Sequence, residues 1–377
     1  MVNKMNSKLK LVSTLNMTKE QWLNHRMNGI GGSEIGTILG VNPYQSNVEL
    51  FYRKLGEIPE QPDNIHMFWG RENEEVIADK WQYYDPNDKD PENYIWNKTE
   101  GKIIRKCHKV NAYIENPDIP NAFASIDRKI TKGTKGIEGI LECKAIGTYA
   151  SKIWKEGIPP QYLFQIQFYL MVTELLYGEL ATLKDGKFFE VLPFERNEAV
   201  IDLIKENVKV FWDLVTRARI LKQEGKPYEH LEPSANNQEA YKEFLKLKYK
   251  AEPKTIAPNA YYFNVAENLQ VVKAHIKLLE EKKTALENEI KSHFKEADEM
   301  DFGKTSGKIT WKEQKGKQIV NTNLLLEEHP ELYDRYVGES DPYRVLRISI
   351  KSPKVEAAKK LTLSQAENAM EEGSKAA

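Results

Sequence analysis

The sequence predicts an α/β protein: a central mixed sheet flanked by helices, followed by a helical, coiled-coil-like arm and a small β-containing appendage. Three observations carry this. Apolar residues keep helical spacing up to Trp81. The period then shortens to strand-like alternation between 102 and 146. A long charged helix over 265–294, with apolar residues three and four apart, follows a Pro-rich stretch.

The elements follow in order. Thr18 opens a helix-capping pattern over 18–27, and Ser33 is placed to cap a helix after the run Gly29-Ile30-Gly31-Gly32. Asn42-Pro43-Tyr44-Gln45-Ser46 is a second cap-like stretch, ahead of helical spacing over 48–55. A helix over 68–81 carries Trp69, Val76, Ile77 and Trp81 on its apolar side, and the Asp, Asn and Pro of 85–100 read as a loop. Strands are expected near 102–114, 122–131 and 136–146. An apolar helix over 162–176 follows Pro159-Pro160, then a hairpin over 179–194 turning at Asp185-Gly186, then a helix over 197–223.

The sequence divides into a core domain over 1–225, a Pro-containing linker region over 226–262, and a helical arm plus small β appendage over 263–354. An Ala/Glu/Lys-rich tail over 355–377, disordered or helical, completes it. The arm's seam is Val265, Leu269, Val272, Ile276, Leu279, Leu286, Ile290 and Phe294, with Lys283 as the polar interruption. It fits self-packing, a second copy, a partner, or the helix's own domain equally. Within the appendage, Gly307-Lys308-Ile309-Thr310 and 343–350 read as strands.

Composition removes several classes of function. Of 377 residues, 55 are Lys or Arg and 56 Asp or Glu, a formal charge of −1, so any nucleic-acid footprint must be local. The two cysteines, Cys107 and Cys143, form no CxxC pair, which argues against a structural zinc or an iron–sulfur cluster. They fit a reducing compartment. No apolar run approaches the roughly 20 residues of a membrane span, and the basic N-terminus lacks an apolar signal core. A soluble, intracellular protein is expected. The glycine run is not a P-loop, because Gly-Lys-Ser/Thr is absent and no strand is expected before it. None of the seven histidines has metal-ligand spacing.

The chemistry concentrates in Gly139-Ile140-Leu141-Glu142-Cys143-Lys144. Side chains alternate along a strand, so Glu142 and Lys144 share a face and Cys143 takes the other. Asp127 lies upstream in a second β-like run. Two carboxylates and an ammonium on adjacent strands can hold a hard divalent cation and a water, the kit for metal-assisted hydrolysis of a phosphodiester. Asp127 and Glu142 would supply two ligands and the Cys143 backbone carbonyl a third. Lys144 would orient or help deprotonate the water and offset charge in the transition state. The same spacing occurs in solvated edge strands. Here, however, Ile137, Ile140 and Leu141 mark a semi-buried strand, where charged residues are paired or bound.

Asp127 and Glu142-Cys143-Lys144, followed by Tyr162-Leu163-Phe164-Gln165-Ile166-Gln167 opening a helix, resemble the PD-(D/E)XK nucleases. More narrowly, the chain resembles the YqaJ-like viral recombinase family, to which phage lambda exonuclease belongs. Trp69-Gly70-Arg71-Glu72-Asn73-Glu74 matches that family's W-G-x-x-x-E helix, and Gly29-Ile30-Gly31-Gly32-Ser33-Glu34 its N-terminal turn, continued by Asn42-Pro43-Tyr44. The likeness spans about residues 20–215.

The resemblance implies a restriction-endonuclease-like core. It gives Glu74 the part of an additional metal-side carboxylate. Gln165 would point toward the water or scissile phosphate, and Arg26, Ser33 and Tyr162 would make DNA contacts. Ser33 serves equally well as a cap. The expected cofactor is Mg2+, with Mn2+ able to substitute.

The implied activity is 5′-to-3′ exonucleolytic digestion of double-stranded DNA in a phage or prophage recombination system. It would act in the cytoplasm of a bacterial host, as a homo-oligomer such as a ring-shaped trimer, with a single-strand annealing protein as partner. Two features depart from the pattern. Arg128 stands where the family usually has Gly after the first Asp, and Arg26 is displaced by one from the basic residues that precede the glycine turn. The alternatives are an endonuclease or nickase on the same fold, and a non-catalytic DNA-binding or assembly module.

Overall fold

The computed structural model describes residues 8–59, 63–133, 135–249, 253–303, 307–316, 319–338, 346, 348 and 352–360. Two compact units divide at Lys250/Ala251.

The first unit runs β1 (Lys10–Ser13), α1 (Lys19–Met27), β2 (Ile30–Gly31), α2 (Gly32–Ile38), α3 (Asn47–Lys54), α4 (Ile65–Tyr83), α5 (Asn93–Thr99), β3 (Lys106–Lys109), β4 (Ala112–Glu115), β5 (Ala122–Ala124), β6 (Arg128–Lys132), β7 (Gly139–Ile146), α6 (Thr148–Trp154), α7 (Pro160–Thr173), β8 (Tyr177–Lys184), β9 (Phe188–Glu195), α8 (Glu198–Gln223) and α9 (Gln238–Lys248). A short 3₁₀ turn, Glu229–Leu231, precedes α9.

The main sheet has the order β3-β6-β7-β8-β9. Only β7 and β8 are parallel; α6 and α7 fill that crossover, as a parallel connection requires. A smaller sheet, β1-β4-β5-β2, pairs β2 parallel to β5. The expected 102–114 strand is therefore two strands in two sheets. The two-residue β2 lies inside the glycine run, where the sequence suggests a turn alone.

Alternation along β7 explains the layers. Ile140 faces a core with Leu180, Ile166 and Leu170, and with Ile204 and Val208 of α8. Leu141 and Cys143 face the opposite side, against Ile77, Ala78 and Trp81 of α4. The same α4-side layer buries Glu179, which accepts hydrogen bonds from Trp81 Nε1 (2.5 Å) and Arg105 Nη1 (2.6 Å). Trp69, by contrast, is 56% exposed although the periodicity assigns it to the apolar side. The β8–β9 hairpin turns where expected. Asp185 and Gly186 both have positive φ, and the Lys184–Phe188 pair closes a three-residue loop over them.

Residues beyond Gln223 are not a linker at first. Leu231, Ala240 and Phe244 are buried, and Phe244 stacks on Tyr52 of α3. Asn236 donates to the Thr37 and Ile38 carbonyls at the end of α2. Pro-rich composition set the sequence boundary at 225; the packing continues into α9.

The second unit contains α10 (Ala260–Phe294), the hairpin β10 (Glu299–Asp301) and β11 (Lys308–Thr310), α11 (Thr322–Glu328), α12 (Pro330–Tyr336) and α13 (Pro353–Lys359). In α10 the buried side chains are His275 and Phe294, whereas Val265, Val272, Ile276, Leu286 and Ile290 of the expected seam stay exposed. The tail's first residues, 355–359, are helical in α13, and Val355 and Ala358 are buried. The expected tail over 361–377 and most of the 343–350 strand lie outside the described residues.

Candidate active site

Asp127 sits at the bend between β5 and β6, where the chain leaves one sheet for the other. Its Oδ2 accepts a 2.8 Å hydrogen bond from the Cys143 backbone N–H, which fixes it beside β7. Glu142 and Lys144 point from β7 toward α7. Glu142 Oε1 accepts from Lys144 Nζ at 2.5 Å and from Gln165 Nε2 at 2.7 Å. Glu142 Oε2 is shielded from solvent and has no hydrogen-bond partner. Leaving such an oxygen unpaired costs about 1–3 kcal/mol. Two carboxylates and the ammonium thus meet as the strand alternation requires.

The electrostatics reflect crowding. Burial, then the Glu142 charge, pushes the Asp127 carboxyl well above its usual range, against Lys144 and the Cys143 N–H. Burial also raises Glu142, opposed by Lys144. Burial alone would lower Lys144, but Glu142 and Asp127 outweigh it and hold the ammonium above its ordinary value. These are signs of a site with more negative charge than its own cation neutralises. Cys143 lies on the far face, where burial pushes its thiol well up; no thiolate chemistry follows.

Glu74 approaches from α4 and is held by Arg128, which also binds Glu75 at 2.7 Å. Lys109 stands 3.6 Å from Glu74. The charge of Glu74 is felt at Asp127 and Glu142. Even so, its carboxylate is an ion-pair partner here, and no group of three His, Cys, Asp or Glu side chains among the described residues forms a ready metal cage. Arg128, the residue that departs from the resembled pattern, is what engages it.

The other expected residues divide. Tyr162 packs on Trp154 with ring centroids 5.3 Å apart, and Lys144 Nζ lies 5.4 Å from the Tyr162 ring centre. It borders the cluster. Gln167, two residues after Gln165, lies apart from it: its amide donates to the Glu195 carbonyl and accepts from Asn197 N–H, tying α7 to the start of α8. Ser33 is exposed within the first turn of α2 and does not cap it. Gly31 is the N-cap, and Glu34 Oε2 accepts from its N–H at 2.8 Å.

Arg26 donates to Glu34 at 3.2 Å. The same carboxylate takes two 2.8 Å bonds from Lys54. Lys54 also donates to the Arg26 and Gly29 carbonyls. The glycine turn is therefore bolted down by a buried Glu34–Lys54 pair, and Arg26 belongs to that network.

One residue escaped the motif reading. Tyr169 lies one helical turn after Gln165 on the same face of α7, and its hydroxyl accepts from Gln165 Nε2 at 3.0 Å. Its ring fills the space against Gly32, where an added Cβ would come within 2.3 Å of it. The i, i+4 spacing from Gln165 was the available signal.

Fold and site together define an α/β domain with a buried carboxylate–lysine cluster between a mixed sheet and a covering helix. Residues 21–175 match the family model described as the YqaJ-like viral recombinase domain. It is 27% identical over 337 residues to the uncharacterized protein YqaJ of Bacillus subtilis (strain 168), covering 88% of this chain and 94% of the relative.

Among solved structures it is similar to an alkaline exonuclease (LHK-Exo) from Laribacter hongkongensis, at 20% identity over 55% of this chain and 98% of that one, with a TM-score of 0.40. The same exonuclease in complex with dAMP gives 0.41. A phage-related exonuclease from Haemophilus somnus 129PT, 16% identical over 52% of this chain and 99% of that one, gives 0.33. No helix among the described residues is long and apolar enough to cross a membrane.

Proposed function

We propose that this chain is a Mg2+-dependent deoxyribonuclease on a PD-(D/E)XK core, acting as a 5′-to-3′ exonuclease on double-stranded DNA in a phage-type recombination system. The observation that carries the reading is the Asp127–Glu142 pair. Two buried carboxylates are pushed up by burial, with Glu142 Oε2 left without a partner on the side away from Lys144 and Gln165. That chemistry fits a hard divalent ion, which commonly takes one or two carboxylates and keeps its waters. Asp127 and Glu142 would hold it, with the Cys143 carbonyl as a third donor. When bound, the ion supplies a Lewis acid for the phosphate and an acidified water.

The chain's own groups do the rest. Gln165 and Lys144 orient Glu142 through its Oε1. The Lys144 ammonium, kept protonated by both carboxylates, offsets charge as it builds on the phosphate. Tyr162 borders the cluster as a surface for the DNA strand, and Arg26 at the end of α1 and Ser33 in the first turn of α2 flank the glycine run as contacts to phosphate. Glu74 supports the site by charge from α4, balanced by Arg128.

The test is end-labelled linear duplex and a closed circle, each with and without Mg2+, comparing 5′-phosphoryl and 5′-hydroxyl ends, with Asp127→Ala as control. Mg2+-dependent shortening of the linear duplex, an intact circle and an inert variant are expected. A cut circle would replace the exonuclease with an endonuclease. DNA left whole in every lane would overturn the nuclease reading.

A further inference from the structure

The edge of the main sheet carries cations opposite cations. In the β3–β6 ladder, Lys106 pairs with Lys132 and Lys109 with Arg128. Like charges directly opposite one another destabilise a sheet unless something neutralises them. At the end nearest Asp127 the chain does this itself: Arg128 is held by Glu74 and Glu75, and Lys109 lies near Glu74. Lys129 is paired with Glu138 at 2.8 Å. At the far end, Lys106 and Lys132 are both exposed, and no ion pair among the described residues neutralises either.

We propose that the exposed Lys106–Lys132 pair is a phosphate-backbone contact for double-stranded nucleic acid, placed along the edge of the sheet away from the catalytic cluster. The inference rests on the nuclease reading and adds a binding surface to it. Lys132 is four residues along β6 from Arg128, which adjoins Asp127. At about 3.3 Å per residue that is roughly 13 Å, or about four base steps at 3.4 Å of rise. A duplex whose scissile phosphate lies at Asp127 and Glu142 can reach both ammonium groups. β3 is an edge strand, so nothing in the sheet covers them. The near-zero net charge requires such a local footprint if the chain holds DNA at all.

The experiment uses the full chain and a labelled linear duplex, with binding measured in EDTA across a salt series and cleavage measured in Mg2+. Lys106→Gln/Lys132→Gln is compared with wild type and with Lys205→Gln/Lys209→Gln, two exposed lysines on α8. Loss of two phosphate contacts should make the slope of log affinity against log salt shallower by about 1.8. The affinity advantage of wild type should then shrink about tenfold between about 50 and 200 mM salt. In cleavage, KM should rise while the rate at saturating duplex holds, and the α8 control should match wild type in both.

Edge-strand lysines also deter edge-to-edge pairing of sheets. If that is their whole role, the salt slope stays at the wild-type value and the proposal falls. A slope change equal to that of the α8 control overturns it too. If wild type binds duplex with the expected slope but never cuts it, the nuclease reading fails and the contact stands.

Discussion

Gly32→Ala adds a single methyl group at a tight point beside the carboxylate–lysine cluster. The new Cβ would lie 2.3 Å from Cε1, 2.7 Å from Cζ and 3.0 Å from Cδ1 of Tyr169. Carbon atoms pack best at about 3.5–4.0 Å, so the two groups must separate by roughly 1 Å. Tyr169 has little room to move. It is 4% exposed, its hydroxyl is bonded to Gln165, and its carbonyl accepts from Thr173 Oγ1.

The displacement therefore passes through Gln165 to Glu142. Overpacking of this kind costs about 1–3 kcal/mol. For a unit of this size, that lowers the melting temperature by about 2–12 °C. A 1 Å shift of a catalytic carboxylate costs about a hundredfold in rate. Circular-dichroism melts and initial rates on end-labelled duplex measure the two effects. Gly70→Ala in α4 is the matched comparison: nothing lies within 4 Å of its added Cβ, and the gain in helix propensity, about 0.8–1 kcal/mol, should stabilise. If Gly32→Ala melts and cuts as wild type does, the Gly32–Tyr169–Gln165–Glu142 relay is wrong.

Three further outcomes are expected. Millimolar Mg2+ should raise the melting temperature of wild type through preferential binding to the folded state. Glu142→Gln should abolish both that shift in differential scanning fluorimetry and cleavage, by at least about a hundredfold. Glu34→Gln should cost about 3–5 kcal/mol at neutral pH, because Lys54 is left buried without its counter-charge. Burial works against the Glu34 carboxylate, but Lys54, Arg26 and the Gly31 N–H together hold its pKa below the ordinary value. Its stabilisation is thus present above the unfolded-state pKa and lost as pH falls below about 4, so the wild-type advantage in urea melts should shrink there. Burial pushes the Cys107 thiol up to about 11, so iodoacetamide at pH 8 should label it about a hundredfold more slowly in the native than in the unfolded protein, as read by mass spectrometry.

What the sequence made legible was whatever a short period determines. Alternation along 139–146 put Glu142 and Lys144 on one face and Cys143 on the other, and the structure keeps that division between the α7 and α4 layers. Asp185-Gly186 specified its own turn. Long-range pairing was not legible. Lys54 reads locally as a solvated residue at the end of α3, yet it is buried because Glu34, twenty positions earlier, needs a cation. That same need draws in Arg26, a pairing that no local period shows. The seam of α10 marks the same limit. Three-and-four spacing says which residues could share a stripe, not what covers them: the buried side chains of α10 are His275 and Phe294, and Lys354 of α13, some eighty residues on, donates to Asn268.

Arg128 is the most instructive case. The sequence marked it as a departure from the family pattern without indicating its effect. In the structure its guanidinium is almost fully buried and spans Glu74 and Glu75 while also donating to the Asp127 carbonyl. A glycine there would leave Glu74 without its buried guanidinium partner and its charge facing Asp127 and Glu142. With arginine, the third carboxylate is neutralised from inside the sheet. The negative charge left for a divalent ion is then that of two carboxylates less one lysine, so metal affinity in this chain should be set by Asp127 and Glu142 far more than by Glu74.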